Sequence, residues 1–179
     1  MLKVVAESDQ HFAQIKNVTS RAFAESEFGH NGEAELVEAI RNQCDEFLSL
    51  VAIENGCVIG HVMFTRCCIR KGDQSIQGWA LAPLSVDPSH QNRVIGSQLV
   101  ANGLKTVEQD HASFTIVAGH PEYYQRFGFS PAELYSIRHG FQGMPQNVFM
   151  ININDQELIP KVTDGLAFYH PVFGDQHAH

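Results

Sequence analysis

Apolar positions along the chain follow two patterns, helical spacing and the short apolar runs of strands, and together these predict an α+β fold. Helical spacing predicts a first helix over residues 9–23, where Phe12 and Ile15 share one face, and a second helix around residues 36–40. A short apolar run at residues 2–7 predicts a strand ahead of them. The N-terminal part is therefore expected to form one strand followed by two helices.

The next stretch predicts an antiparallel meander of three strands. Apolar residues dominate residues 47–53, 57–69 and 76–86, with short polar turns between them. The first turn is the pair Asn55-Gly56, and Asn-Gly between two apolar runs is a strong hairpin signal. Neighbouring strands joined this closely are expected to run antiparallel.

A change of pattern in the middle of the chain predicts a parallel pair of strands. Helical spacing returns over residues 94–107, and residues 113–117 have the pattern of a strand. A strand, a helix and a strand of this length form a crossover unit, so the two strands are expected to be parallel. The remainder predicts a short helix over residues 123–127 and two or three weaker strands, one of them over residues 148–153.

Length and charge narrow the class of protein. A chain of 179 residues is short for two ordinary domains, so a single domain over residues 1–179 is predicted. The formal net charge of -8 argues against nucleic acid or an anionic membrane as partners. The sequence has neither the apolar run of a signal peptide nor one of membrane-spanning length, which predicts a cytoplasmic protein.

Cysteine and histidine spacing gives no support to a disulfide framework or a metal. The 4 cysteines form no CxxC pair, and the 10 histidines lack the spacing of a zinc site. We therefore predict no metal.

A turn between the third strand of the meander and the following helix has the composition of an anion site. Residues 84–99 read Leu-Ser-Val-Asp-Pro-Ser-His-Gln-Asn-Arg-Val-Ile-Gly-Ser-Gln-Leu. A helix that opens after a polar loop directs unpaired backbone N–H groups and its positive end to one place. Gln91 and Arg93 could reach phosphate oxygens there. The alternative is an ordinary strand-to-helix turn, with Gly96 present for packing and Arg93 solvated.

A second stretch places a tyrosine pair just past the next strand. Residues 116–129 read Ile-Val-Ala-Gly-His-Pro-Glu-Tyr-Tyr-Gln-Arg-Phe-Gly-Phe. Because the two strands are expected to lie side by side, both motifs are expected to face one cleft. Aromatic packing is the favoured interpretation for Tyr123, Phe127 and Phe129. Tyr124 remains as a phenol that could protonate a leaving thiolate.

Together the two motifs resemble those of the GNAT acetyltransferase superfamily, and more narrowly of its bacterial YhbS-like branch. The segment Tyr-His-Pro-Val-Phe at residues 169–173 is also similar to that branch. The resemblance implies the acyl-CoA N-acyltransferase fold, a mixed α+β sheet flanked by helices. In that fold the sheet is splayed between its parallel fourth and fifth strands, and acetyl-CoA lies in the gap.

The resemblance also implies roles for individual residues. The backbone of Leu84, Ser85 and Val86 would pair with the pantetheine arm, and one of these amides would polarise the thioester carbonyl. Tyr124 would protonate the departing CoA thiolate. The remaining residues, which would wrap the pyrophosphate, are Gln91, Asn92, Arg93, Val94, Ile95, Gly96 and Ser97.

Two departures from the family pattern matter. Val94 stands where the family has a glycine; valine does not tolerate positive φ, and its side chain would stand in the path of the pyrophosphate. The predicted strand at residues 79–86 also lacks the carboxylate that often serves as general base. The remaining candidates for the base are an ordered water and four side chains, Glu25, Glu27, His61 and His120.

The implied activity is transfer of an acetyl group from acetyl-CoA, as cosubstrate, to a primary amine by direct attack in a ternary complex. The acceptor is expected to be a small-molecule or peptide amine, selected mainly by residues 24–31 and by the segment after residue 129. Homodimers are common in the family. Val94 and the missing carboxylate favour an alternative, a non-catalytic acyl-CoA-binding or interaction module. An unrelated nucleotide-binding protein lacks support, because neither GxxxxGK[ST] nor GxGxxG occurs.

Overall fold

A mixed sheet with flanking helices makes up most of the structure, a computed structural model that describes residues 1–24 and 32–176. The strands are β1 (Lys3–Ala6), β2 (Phe47–Glu54), β3 (Cys57–Lys71), β4 (Gln74–Val86), β5 (Phe114–Ala118), β6 (Ser130–Pro131), β7 (Arg138–His139), β8 (Phe149–Ile153) and β9 (Leu166–Phe168). The α-helices are α1 (Phe12–Ala24), α2 (Glu33–Gln43), α3 (Ile95–Gln109), α4 (Pro121–Tyr124) and α5 (Ile159–Val162).

The sheet has the order β1-β2-β3-β4-β5-β8-β6, and β9 pairs with both β3 and β7. β1 and β2 are antiparallel. Two-residue turns join β2 to β3 and β3 to β4, and only antiparallel neighbours can be joined so closely. β4 and β5 are parallel, in a register that runs from Trp79 opposite Thr115 to Leu81 opposite Val117. The predicted meander and the predicted parallel pair are therefore confirmed.

The chain forms two compact units, and the first comprises Met1–Phe64 and Ala82–Thr106. α1 and α2 bury apolar residues at helical spacing, among them Ile15 and Ile40. α3 packs closely on β3, because a Cβ atom at Gly60 would lie only 2.9 Å from Leu99 Cδ1. The glycine thus allows a helix to approach the strand that adjoins the end of β4.

The second unit comprises Thr65–Leu81 and Val107–His179. Its core is aromatic and aliphatic and includes Phe114, Ile116 and Phe149 from β5 and β8. A Cβ atom at Gly78 would lie 2.5 Å from the Phe114 ring, so this glycine makes room for that ring. α4 follows β5 in this unit.

Differences from the sequence prediction are confined to short elements. Residues Asp9–His11, predicted as the start of the first helix, form a 3-10 turn ahead of α1. The helix predicted over residues 123–127 begins earlier, because Pro121 suits the first helical turn, and it ends as a 3-10 turn over Gln125–Phe127. Four strands rather than two or three follow β5 in the described residues, and β6 and β7 are too short to show a period of their own.

Candidate functional site

The end of β4 is tied to both α1 and β3. Ser85 is buried, and its hydroxyl lies 3.2 Å from the Thr19 hydroxyl of α1, within hydrogen-bonding distance. The Asp87 N–H donates to the Ile59 carbonyl of β3, at 2.9 Å. Leu84 and Val86 flank Ser85 and are half-buried. The backbone segment predicted to bind pantetheine is therefore held in place from two sides.

Asp87 organises the turn that follows β4. Its side chain accepts hydrogen bonds from the Ser89 backbone N–H, at 3.0 Å, and from the Ser89 hydroxyl, and it forms an ion pair of 2.8 Å with Arg21 of α1. Burial raises the pKa of this carboxyl, but the bonds from Ser89 and the charge of Arg21 outweigh burial and lower it. The carboxylate is thus a structural cap whose charge is balanced by Arg21. Sequence reasoning missed both roles, although Asp-Pro-Ser is a recognisable N-terminal capping pattern.

The loop between this turn and α3 has one left-handed residue, and that residue is Asn92. Its φ is 58°, a conformation that asparagine adopts more easily than most residues. The Gln91 side chain donates back to the Val86 carbonyl at 3.2 Å. Val94 is not among the residues with positive φ, and its side chain is 62% exposed. The backbone therefore does not need glycine at this position.

The start of α3 presents backbone donors. The first hydrogen bond of the helical pattern runs from the Gln98 N–H to the Val94 carbonyl, at 2.9 Å. The N–H groups of Ile95, Gly96 and Ser97 precede this bond and have no carbonyl one turn earlier within the helix. Ile95 is buried and anchors the first turn. A helix of 15 residues that begins in this way suits a phosphate group, so the residues present fit the pyrophosphate of a CoA cofactor.

Arg93 is engaged in an ion pair with Glu54, the last residue of β2. Nη2 lies 3.1 Å from Oε1 and Nη1 lies 3.3 Å from Oε2, so two nitrogens face two oxygens. The Arg93 side chain is 49% exposed and that of Glu54 is 22% exposed. The hydrogen bond from Arg93 lowers the pKa of Glu54. Sequence reasoning predicted Arg93 as a phosphate ligand, with a solvated side chain as the alternative, and it missed Glu54, which no local pattern marks.

Tyr124 lies in the second unit as the last residue of α4, and it is 7% exposed. Its ring makes edge contacts with Tyr123 and Phe129, at centroid distances of 5.0 and 5.7 Å. A Cβ atom at Gly119 would lie 2.5 Å from Tyr124 Cε2, so the ring fits closely over that glycine. Burial, and then the neighbouring Tyr123, raises the pKa of Tyr124 above its usual range. The phenol is therefore protonated at neutral pH, the state that a proton donor requires.

The candidates for the general base lie in different environments. His61 is fully buried in the first unit, where its Nε2 is 2.8 Å from the Ser49 hydroxyl. Burial lowers the pKa of His61, which keeps the ring neutral in the core. His120 is exposed immediately before α4. Glu25 and Glu27 lie outside the described residues.

Two cavities in the described part of the chain differ in their relation to the predicted site. One of about 450 Å³ lies in the second unit and includes none of the predicted site residues in its lining. A smaller one of about 170 Å³ lies in the first unit between α1 and α2. Its lining includes Thr19, the hydroxyl neighbour of Ser85, and also Ala24 and Gly32, which flank residues 25–31.

Neither a membrane helix nor a metal cluster is found among residues 1–24 and 32–176. Each helix there is too short or too polar to cross a bilayer. The same residues contain no group of three or more His, Cys, Asp or Glu side chains that could hold a metal ion.

The mixed sheet with its parallel β4 and β5, and the amide-rich turn after β4, are the features expected of the acyl-CoA N-acyltransferase fold. The family model for the acetyltransferase (GNAT) domain matches residues 5–132, and the chain belongs to this family.

Two curated relatives come from Escherichia coli strain K12, and both are described as uncharacterized N-acetyltransferases. YhbS is 31% identical over 147 residues, which cover 82% of this chain and 86% of that protein. YjhQ is 33% identical over 121 residues, which cover 66% of this chain and 64% of that protein. The chain thus spans slightly less than two thirds of YjhQ but most of YhbS.

Solved structures of relatives contain the expected cofactor. The crystal structure of Escherichia coli YhbS in complex with CoA has a TM-score of 0.83 and 30% identity, and covers 96% of this chain and 91% of that chain. The structure of a GNAT family acetyltransferase from Brucella melitensis in complex with acetyl-CoA has a TM-score of 0.78 and 29% identity, and covers 97% of this chain and 99% of that chain.

Proposed function

We propose that this protein is a cytoplasmic N-acetyltransferase, a single GNAT domain over residues 1–179 that transfers an acetyl group from acetyl-CoA to a primary amine. The observation that carries the proposal is the start of α3, where the N–H groups of Ile95, Gly96 and Ser97 lie just past the end of β4. An anion site of this kind, in a chain that belongs to the GNAT family, is best explained by the pyrophosphate of CoA.

Cofactor binding is assigned to two backbone segments. The backbone of Leu84, Ser85 and Val86 pairs with the pantetheine arm, and the bonds that tie β4 to α1 and β3 keep this edge rigid. A rigid edge lowers the entropy lost on binding. Gln91, Asn92, Arg93 and Val94 form the loop around the pyrophosphate, ahead of the amides of α3.

The chemistry we propose is direct transfer. Bound acetyl-CoA supplies the thioester carbonyl that the amine attacks. An N–H in Leu84–Val86 donates to the carbonyl oxygen as negative charge develops there. The amine loses its proton to water or to His120, a C–N bond forms, and the C–S bond breaks. The Tyr124 hydroxyl, which burial keeps protonated, gives its proton to the departing sulfur as the C–S bond breaks.

The acceptor is proposed to enter through the smaller cavity between α1 and α2. Thr19 lines that cavity and also lies 3.2 Å from Ser85, so the cavity adjoins the strand to which we assign the thioester. Glu33 and Glu35 are part of the same lining, and their charge favours a basic acceptor. A small-molecule or peptide amine fits this description.

Acetyl-CoA titration by calorimetry, followed by turnover of Tyr124→Phe with a panel of amines, tests the proposal. Saturable binding of one acetyl-CoA per chain is expected. Loss of the hydroxyl should lower kcat by about 100-fold, the lower end for general acid catalysis, and leave the Kd for CoA within about twofold. Tyr135→Phe, at a half-buried tyrosine of the same unit, is the matched control and should retain full turnover.

Other outcomes would redirect the assignment. If the protein binds acetyl-CoA but acetylates no amine, and Tyr124→Phe leaves this binding unchanged, the non-catalytic acyl-CoA-binding module is favoured. The ion pair between Arg93 and Glu54 is an observation in favour of that alternative, because it engages a residue assigned to the cofactor. Ping-pong kinetics would contradict direct transfer, because such kinetics indicate a covalent enzyme intermediate and direct transfer has none.

A further inference from the structure

The pair formed by Arg93 and Glu54 lies in the loop to which we assign the pyrophosphate. Both terminal nitrogens of the guanidinium face the carboxylate, at 3.1 and 3.3 Å. This two-point geometry is also the one in which arginine binds phosphate. A phosphate that approached Arg93 would therefore compete with Glu54 for the same two N–H groups.

The pair is suited to exchange rather than to permanent bonding. Both side chains reach solvent, and exposed ion pairs are weak because water screens them, so a phosphate could displace the carboxylate without disrupting the fold. The other carboxylate near this turn, Asp87, differs: it is buried, and it caps the turn while pairing with Arg21. Only Glu54 of these two carboxylates contacts a residue assigned to the cofactor.

We infer that Glu54 sets the affinity for acetyl-CoA by occupying Arg93 until the cofactor displaces it. The inference rests on the proposed function, because it takes Arg93 as a phosphate ligand. Glu54 acts in two ways: it competes for the guanidinium, and after displacement its charge remains at the end of β2, close to the phosphates. Both effects weaken binding, and both disappear when the carboxylate becomes an amide.

A double-mutant cycle on acetyl-CoA binding tests the inference, with Kd measured by calorimetry at low ionic strength. Glu54→Gln should lower the Kd by about two- to fivefold, the range given by loss of an exposed ion pair. Arg93→Gln should raise the Kd. In the Arg93→Gln background the further change Glu54→Gln should have a clearly smaller effect, because the competition no longer exists. The gain from Glu54→Gln should also shrink as sodium chloride is added.

Glu38→Gln is the matched control for net charge. Glu38 is also an exposed carboxylate in an ion pair, with Lys16 at 2.9 Å, but it contacts no residue assigned to the cofactor. It should leave the Kd unchanged. An equal gain in Glu38→Gln would mean that net charge alone is responsible, and it would overturn the inference.

The inference and the proposed function fail in different ways. If Arg93→Gln weakens binding but Glu54→Gln leaves it unchanged or weakens it, Glu54 only positions Arg93 and the inference is overturned while the function stands. The inference is likewise overturned, and the function stands, if Glu54→Gln lowers the Kd as much in the Arg93→Gln background as in the wild type. If neither the wild type nor Glu54→Gln binds acetyl-CoA, the proposed function itself is overturned, and the inference falls with it.

Discussion

At the scale of single residues, the neighbours of Tyr124 fix the position of its ring. The ring is enclosed by Tyr123 and Phe129 and lies directly over Gly119, which has no side chain to push it away. Gly119 is itself held by a hydrogen bond from its N–H to the Val148 carbonyl, at 2.9 Å. The position of the phenol is therefore set by a backbone segment that is fixed by this hydrogen bond.

Gly119→Ala should displace the Tyr124 ring. The added methyl group would start 2.5 Å from Cε2, which is closer than carbon atoms approach without movement. We expect a loss of about 1–3 kcal/mol in the free energy of unfolding, typical of overpacking, as measured by denaturant titration. Turnover should fall further than this loss explains, because the phenol would no longer be in place.

The same substitution can be examined where the ring is absent. In a Tyr124→Ala background, Gly119→Ala should cost much less stability, since the methyl group then enters space that the ring occupied. Equal costs in the two backgrounds would show that strain in the backbone after β5, rather than contact with Tyr124, limits this position.

At the level of elements, the turn from β4 into α3 combines a left-handed residue with a valine at the position where the family has a glycine. Asn92 takes the left-handed conformation, so the family's glycine position can be filled by Val94 without strain. The exposed valine nevertheless immediately precedes Ile95, whose amide is the first of α3. Its effect on cofactor binding should therefore come from bulk and not from backbone conformation.

Val94→Gly and Val94→Ala separate bulk from backbone freedom. Both should lower the Kd for acetyl-CoA, by about threefold, which corresponds to ~0.7 kcal/mol. The glycine variant should in addition lose up to about 1 kcal/mol of stability, because glycine is more flexible in the unfolded chain. Tighter binding in the glycine variant alone would mean that the backbone must rearrange on binding.

Sequence patterns predicted the elements that have a period and missed the interactions that depend on tertiary structure. The Asn55-Gly56 hairpin and the helix α3 follow from local signals, and the structure confirms both. The ion pair between Arg93 and Glu54 joins residues that are 39 positions apart, and its partners lie on different elements. The loop geometry likewise depends on the positive φ of Asn92, a residue that the sequence analysis assigned to the pyrophosphate and not to this backbone role.

At the scale of the whole molecule, an acidic chain with a net charge of -8 retains a buried charged cluster. Arg41 donates from Nε and Nη2 to the two oxygens of Glu7, at 2.9 and 2.7 Å, and both side chains are about one-tenth exposed, 11% and 9%. His61 Nε2 lies 3.7 Å from the same carboxylate. The Arg41 guanidinium also lies over the Phe12 ring, at 4.1 Å. The cluster joins the residue that follows β1 to α2 and β3 in the first unit.

This cluster should make the stability of the protein fall on acidification. Burial raises the pKa of Glu7, but the hydrogen bonds from Arg41, with further contributions from the nearby His61 and Ser49, outweigh burial and bring it from 4.5 to about 2. Because the folded pKa lies below the ordinary one, this contribution is fully present above pH 4.5 and is lost as the pH falls towards 2. This contribution to stability amounts to at most about 3–4 kcal/mol, before solvent screening reduces it. The lowered pKa of His61 acts in the same direction and begins at a higher pH, near 6.5, where the unfolded histidine starts to take up a proton.

Denaturant titrations between pH 7 and pH 3, on the wild type and on Glu7→Gln, measure this dependence. At pH 7 the variant should be less stable by about 3 kcal/mol, because Arg41 is left as a buried charge without its partner. Between pH 4.5 and 3 the wild type should lose stability faster than the variant, so the two curves should converge. Parallel curves over this range would show that other carboxylates, and not Glu7, control acid unfolding.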